Sequence, residues 1–184
     1  MGAPPVMRVV RRLHTMNDVL RDEIIAEITA AFSGVARGDT TLHEADIIDR
    51  CGPDSARRAA RARDAEKRWQ DVPDTDIEQY PSALSHLCPE SFRYYIAAYM
   101  VWSLRHYRTS GSASSDFTIY ALAPNTNKPK DKRALSRFEN FSTRQAQAIR
   151  RFLEFMVEHG DGLADDAQAS LALDAYWYEH TKVA

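Results

Sequence analysis

The chain has few of the features that mark secreted, membrane or disulfide-stabilised proteins. It contains two cysteines, Cys51 and Cys88, which are too few for a disulfide framework and are not spaced as a zinc knuckle. Free thiols in a reducing cytosol are the simplest interpretation. The first residues lack the apolar stretch of a signal peptide. The main apolar run, residues 94–102, is much shorter than the ~20 residues of a membrane span. These absences predict a cytoplasmic protein without a membrane segment.

Neither sign of charge predominates, and the motifs of common catalytic sites are missing. The chain has 24 basic and 26 acidic residues, for a net charge of −2, which argues against a general polyanion binder but is compatible with a local basic patch. The sequence has no glycine-rich phosphate loop, no dinucleotide fingerprint and no His-Glu-x-x-His motif. We therefore expect no cofactor, and an enzyme is not the leading hypothesis.

What the sequence does contain is helical periodicity around one unusually apolar segment. Residues 94–102, YYIAAYMVW, carry no charge and include four aromatic side chains. A helix that is apolar on every side must be surrounded by other elements. We therefore predict an all-α fold, in which a single domain over residues 16–184 packs around a buried central helix at about 90–108. Residues 1–15 are predicted to be a flexible tail.

Further helices are predicted over residues 17–35, 54–69, 142–159 and 164–180, with a short one after Thr41. Thr41 and Glu44 form a predicted capping box, as do Ser142 and Gln145, with Phe141 packed beneath the latter. Short turns are expected over residues 76–87, a polar connector over 110–116 and a basic loop over 125–133. Residues 117–122 fit either a strand or a helical turn, and the helical turn is favoured because no second strand is evident.

Two of these helices have faces that suggest contacts. In the 54–69 helix, Trp69 shares an alanine-rich face that should dock on the central helix. The opposite face carries Arg57, Arg61, Asp64 and Arg68, which form either a solvated stripe or a surface for an anionic partner. In the last helix, the predicted buried face is Ala167, Leu171, Ala175 and Tyr178. Leu173 and Trp177 then lie on its other side, which is either covered as well or exposed as an apolar binding surface.

His43, Asp46 and Asp49 are the best candidates for chemistry. They follow one another at one-turn spacing, so a pair of them could ligate a divalent ion. However, no second histidine follows four residues later, and acidic residues are favourable in the first turn of any helix. We expect a structural role and no bound metal. His86 lies two residues before Cys88, a spacing that does not make a base–nucleophile pair, so Cys88 is predicted to be a buried thiol.

Four segments carry a resemblance to a known family. They are residues 42–49 (LHEADIID), 68–73 (RWQDVP), 84–95 (LSHLCPESFRYY) and 141–149 (FSTRQAQAI). With these segments in this order, the chain resembles the bacterial family called domain of unknown function 6714 over roughly residues 20–158. The resemblance implies a small helical protein without an assigned activity and supplies no catalytic residues. One departure is Ala97, where the family usually has a proline within the central helix.

Three hypotheses about function follow. The first is a non-enzymatic module that binds another protein, as an immunity-type or regulatory partner in a bacterium. The second is a small metal-dependent hydrolase that uses His43, Asp46 and Asp49. The third is a nucleic-acid binder that uses the arginines of the 54–69 helix and the loop residues Lys128, Lys130, Lys132 and Arg133. We expect the first, with oligomeric state left open and nucleic acid the less favoured partner.

Overall fold

The computed structural model describes residues 5–124 and 132–181, with side chains for residues 16–124 and 135–181. Within these ranges all regular structure is helical and no strand forms, which confirms the all-α prediction. The helices are α1 (Pro5–Ala31), α2 (Leu42–Asp49), α3 (Asp54–Arg61), α4 (Asp74–Gln79), α5 (Pro89–His106), α6 (Ser114–Leu122), α7 (Lys132–Phe138), α8 (Thr143–His159) and α9, which begins as Asp166–Ala172. No described helix is long and apolar enough to cross a membrane.

The central helix is α5, as predicted from its apolar run. Pro89 stands in its first turn, where the missing N–H removes no intrahelical hydrogen bond. Every side chain over residues 94–104 is at most 6% exposed. Helices α1, α4, α6 and α7 pack around it, together with two short 3₁₀ helices at Trp69–Asp71 and Pro81–His86. The side chains buried between these elements form one hydrophobic core.

Tyrosine hydroxyls of α5 reach polar partners within this core. The Tyr99 hydroxyl donates to the Tyr80 carbonyl at 2.6 Å, and the Tyr95 hydroxyl donates to Glu66 at 2.9 Å. Burial raises the pKa of Tyr99 above its usual value. Burial and the negative charge of Glu66 do the same to the pKa of Tyr95. These phenols are therefore held in the neutral form.

The first helix differs from its prediction at both ends. It begins at Pro5 and so includes residues 5–15, which the sequence predicted as a tail, and it ends at Ala31 rather than at residue 35. Residues 1–4 lie outside the described residues, and flexibility of residues 1–15 stays a prediction. On the apolar stripe predicted for this helix, Ile24, Ile28 and Phe32 are buried, while the rest are only partly buried, namely Leu20, Ile25, Ala31 and Val35. Gly34 follows with φ of +72°, a conformation that favours glycine after a helix.

The prediction of one helix over residues 54–69 is wrong. Helix α3 ends at Arg61, and the chain then runs without helix until the 3₁₀ turn that begins at Trp69. The cause is long-range, because Asp64 turns inward to bond with His43 instead of facing water beside Arg61. Trp69 nevertheless docks against α5 as predicted. Its indole is 3% exposed and donates to the Phe32 carbonyl at 3.0 Å.

The middle of the chain follows its predictions more closely. Short helical turns lie on either side of Pro81, and residues 117–122 belong to α6, so the helical alternative is the correct one. Residues 125–131 of the predicted basic loop, which include Lys128 and Lys130, lie outside the described residues. Lys132 and Arg133, predicted in the same loop, are instead the first two residues of α7.

Helix α8 matches its prediction nearly residue for residue. The Ser142 hydroxyl accepts from the Gln145 N–H at 3.3 Å, and the Gln145 side chain accepts from the Ser142 N–H at 3.0 Å. This is the reciprocal capping box expected from the sequence. The apolar stripe that repeats along α8 is buried and consists of Ala148, Ile149, Phe152, Leu153 and Met156. Phe141 packs edge-on against Phe32, with ring centroids 6.0 Å apart.

The predicted burial of the last helix is inverted. After Asp166–Ala172, α9 continues through a π-helical segment, Leu173–Trp177, and a final turn, Tyr178–His180. The residues expected to be buried are exposed, namely Ala167, Leu171, Ala175 and Tyr178. The covered stripe is Ala169, Ala172, Leu173, Tyr176 and Trp177. Trp177 is fully buried and donates to the Leu122 carbonyl at 2.8 Å. Of the two alternatives for its side of the helix, the covered one is correct, so Trp177 is not part of a binding surface.

Candidate functional site

A buried histidine–carboxylate pair joins α2 to the segment after α3. His43 and Asp64 are both at most 6% exposed. The His43 ring atom Nδ1 lies 2.6 Å from Asp64 Oδ1, and the His43 backbone N–H donates to Asp64 Oδ2 at 3.1 Å. The His43 ring also packs edge-on against Tyr80, with centroids 5.0 Å apart. One carboxylate therefore fixes both the backbone and the ring of His43.

The other ring nitrogen of His43 faces a second carboxylate. Its Nε2 lies 3.9 Å from Asp76 Oδ2, beyond hydrogen-bond distance. This atom is buried and has no hydrogen-bond partner among the described residues. Sequence analysis missed both Asp64 and Asp76. Asp64 lay within a pattern that predicted a helix, and Asp76 lies far from His43 in the chain.

The trio proposed from the sequence does not come together. Asp46 pairs with Arg50 at 2.9 Å on the surface of α2. Asp49 instead faces His86 at 3.0 Å and accepts from Ser82. In the part of the chain that the structure describes, no three His, Cys, Asp or Glu side chains are placed to hold a metal ion. His43, Asp46 and Asp49 thus have separate partners rather than a shared ligand position.

The three candidate arginines also have separate partners within the chain. Arg61 donates through two nitrogens to the buried carboxylate of Glu44, at 2.8 and 2.6 Å. Glu44 in turn accepts from the Thr41 N–H at 3.3 Å, one of the two bonds of the predicted capping box. Arg61 therefore closes the end of α3 onto the start of α2.

Arg57 and Arg68 lie apart from Arg61. Arg57 donates to the Gly52 carbonyl at 3.1 Å, and Arg68 makes a two-pronged pair with Asp71 at 2.8 and 2.6 Å. Because α3 ends before Arg68, the predicted stripe of Arg57, Arg61 and Arg68 along one helix face does not exist. The single stripe that both alternatives assumed, solvated or facing an anionic partner, therefore does not form.

Cys88 is half-buried rather than fully buried, at the residue that caps the start of α5. Burial of the thiol raises its pKa, but hydrogen bonds with the side chains and backbones of Ser91 and Thr40 lower it more. The Cys88 pKa therefore lies below its usual value. His86 is paired with Asp49 instead, so the expectation that His86 does not act on Cys88 agrees with its surroundings.

A larger feature is a groove between α1 and α8, which we call the α1–α8 groove. Its volume is about 830 Å³, which lies within the ~300–1,000 Å³ typical of ligand-binding sites. Four alanines form the apolar part of its lining, Ala26, Ala30 and Ala31 from α1 and Ala148 from α8. Their small side chains leave the space between the two helices unfilled.

Charged side chains of both signs line the same groove. Arg150 pairs with Glu154 at 2.8 Å, and Arg151 pairs more loosely with Glu27 at 3.4 Å. Arg144 also lines the groove, is exposed, and has no ion pair within the described ranges. Sequence analysis placed the polar residues of α8 in water but did not detect the groove, since its walls are more than a hundred residues apart in the chain.

The sequence matches the model of the family of unknown function DUF6714 over residues 20–181. No curated protein and no solved structure matches the chain. The match covers every described helix from the second half of α1 to the end of α9, and it includes the four segments that carried the resemblance. The protein therefore belongs to the family of unknown function DUF6714.

Proposed function

We propose that the protein is a non-enzymatic module that holds a segment of another protein in the α1–α8 groove. The observation that carries this proposal is the groove itself, with a small-residue lining and unequal charges. Concave surfaces with an apolar lining and a few polar groups are where proteins bind ligands, and grooves between helices can hold a helical segment of another protein. The proposed setting is the cytoplasm of a bacterium, where the protein acts as a regulatory or immunity-type partner.

The surroundings of His43 favour this proposal over a hydrolase. The side chain is 5% exposed and lines neither the α1–α8 groove nor the smaller cavity near Trp69. A general base must come within hydrogen-bond reach of the atom it deprotonates. The bonds of His43 to Asp64 instead connect two segments of the fold, which is the structural role expected from the sequence.

The mixed charges also favour a protein partner over a nucleic acid. A nucleic-acid backbone carries a negative charge at every phosphate and is bound mainly through Lys and Arg side chains that neutralise it. The α1–α8 groove places Glu27 and Glu154 among its arginines. Arg61 and Arg68 are already paired with carboxylates. A protein segment can carry acidic, basic and apolar side chains at different positions, so it can match a groove lined by charges of both signs.

A plugged groove tests the proposal. Ala30 is exposed and lines the groove, so Ala30→Trp should fill it without disturbing the core. The control is Ala59→Trp, also at an exposed alanine but on α3. Tagged wild type and Ala59→Trp are expected to co-purify a stoichiometric protein partner from the native cell, whereas Ala30→Trp loses it. Equal recovery by all three would refute the groove as the binding site. A partner that is nucleic acid would replace the proposal with the third hypothesis.

A further inference from the structure

We infer that the occupant of the α1–α8 groove is an acidic segment whose carboxylates bind Arg144 and Arg151. This inference rests on the proposed function and specifies the partner's chemistry. It follows from an imbalance of charge, because among the described residues three arginines line the groove against two glutamates. Arg150 is committed to Glu154 and also lies over the ring of Tyr178 at 5.0 Å. Of the described lining residues, Arg144 and Arg151 are then the cations available to a ligand.

Arg144 is the stronger of the two anchors. It is exposed and, within the described ranges, has no carboxylate partner. It stands in the first turn of α8, which contains no acidic residue. The positive end of the helix dipole therefore adds to the guanidinium charge instead of being neutralised. A planar guanidinium binds a carboxylate through two parallel hydrogen bonds, which gives the contact a defined geometry.

Arg151 is available because its present pair is weak. Its contact with Glu27 is 3.4 Å long, and the side chains are 42% and 46% exposed. Exposed ion pairs of this kind contribute little and exchange readily. An incoming carboxylate can therefore compete for Arg151 without breaking a buried bond.

The spacing of the two arginines gives the ligand a signature. Residues 144 and 151 are two helical turns apart, about 10 Å along α8, with Ala148 between them in the groove. Two carboxylates at that separation are seven residues apart in a helical ligand. In an extended ligand, which rises ~3.3 Å per residue, they are three residues apart. Small apolar residues between them would contact the alanine lining.

A phage-displayed library of random 12-residue peptides tests this ligand class directly. Selection on the wild-type protein should enrich pairs of Asp or Glu at one of these two spacings. Arg144→Glu is expected to weaken binding of the selected peptides by about tenfold or more, since a hydrogen-bonded charge contact is lost. The matched control is Arg58→Glu, which makes the same charge change on the exposed end of α3 and should leave binding unchanged.

A charge exchange separates specific pairing from a general field effect. Replacing the Arg144-paired acid of the peptide by Lys should restore binding to the Arg144→Glu variant and abolish it on the wild type. The variant should fold normally, because a glutamate is favourable in the first turn of a helix. Thermal unfolding checks this before any binding is measured.

The possible results distinguish a failure of the acidic-ligand inference from a failure of the proposed function. Selection without acidic enrichment, no selection at all, or equal binding by wild type and Arg144→Glu would each overturn the acidic ligand. If Ala30→Trp still loses its cellular partner in that case, the groove remains the binding site for a segment of other chemistry. If Ala30→Trp retains the partner as well, the inference and the proposed function both fail.

Discussion

The bond between Asp64 and His43 should contribute several kcal/mol to stability. Asp64→Ala would remove the only acceptor that the described structure gives to the His43 backbone N–H, and would leave the His43 Nδ1 atom unpaired in the core. A buried polar group without a partner costs about 1–3 kcal/mol. Two such groups together predict a loss of about 2–6 kcal/mol. That is a large share of the ~5–15 kcal/mol by which domains are stable.

Urea unfolding followed by circular dichroism measures this loss. The midpoint should fall while the slope of free energy against urea stays unchanged, because the fold is retained. Asp64→Asn should cost less, since its amide oxygen can still accept one of the two hydrogen bonds. Asp46→Ala is the matched control on α2. Its partner Arg50 is 70% exposed, so that change should cost under about 1 kcal/mol.

A double-mutant cycle then tests whether the two residues act on each other. His43→Ala and Asp64→Ala should be coupled by about 1–3 kcal/mol, because each removes the partner of the other. Additive effects would contradict the described pairing. Wild-type stability of Asp64→Ala would refute the reasoning altogether, including the explanation of why α3 ends at Arg61.

Three further predictions concern other parts of the core. Trp69→Ala should cost about 3–5 kcal/mol in urea unfolding and Trp69→Phe clearly less, because phenylalanine retains much of the buried ring while losing the bond to the Phe32 carbonyl. Burial raises the pKa of Tyr99, so the free energy of unfolding that depends on its neutral phenol should be fully present below pH ~10 and be lost as pH rises further. In Tyr99→Phe, the free energy of unfolding should therefore fall less steeply with alkaline pH than in the wild type. Alkylation of Cys88, measured by mass spectrometry, should reach half its maximal rate at a lower pH than in Ser91→Ala, which lacks one bond that lowers the Cys88 pKa. If Tyr99→Phe had the same pH dependence of unfolding as the wild type, or Ser91→Ala the same pH dependence of alkylation, the corresponding pKa shift of Tyr99 or Cys88 would be contradicted.

The elements that the sequence predicted well are those whose causes are local. Helix α8 begins with a capping box within four residues, and its apolar stripe is regular. The central helix α5 is apolar on all sides, so its burial could be predicted without knowing which elements pack against it. In both cases neighbouring residues in the chain contain the physical reason for the structure.

The predictions failed where contacts between residues distant in the chain determine the structure. The sequence after Arg61 continues with good helix formers, but contacts with distant residues hold the chain out of the helix. The Asp64 side chain bonds to His43, and Arg37 donates to the Asp64 carbonyl and to Glu66. In α9 two stripes had helical spacing, one through Leu171 and one through Trp177. The packing of α9 against α6 and α8, rather than periodicity, determined which stripe was buried. The α1–α8 groove was equally beyond sequence analysis, because it depends on how two remote helices pack.

The central claim is that another protein occupies the α1–α8 groove, and site-specific photo-crosslinking tests it most directly. A photoreactive phenylalanine analogue at Ala30 would stand inside the groove, and the same analogue at Ala59 would stand on exposed α3. After irradiation in the native cell, the account predicts a discrete crosslinked protein from position 30 and none from position 59. Mass spectrometry should map the crosslink to an acidic segment of that protein. Crosslinking from position 59 alone, or from neither position, would contradict the claim.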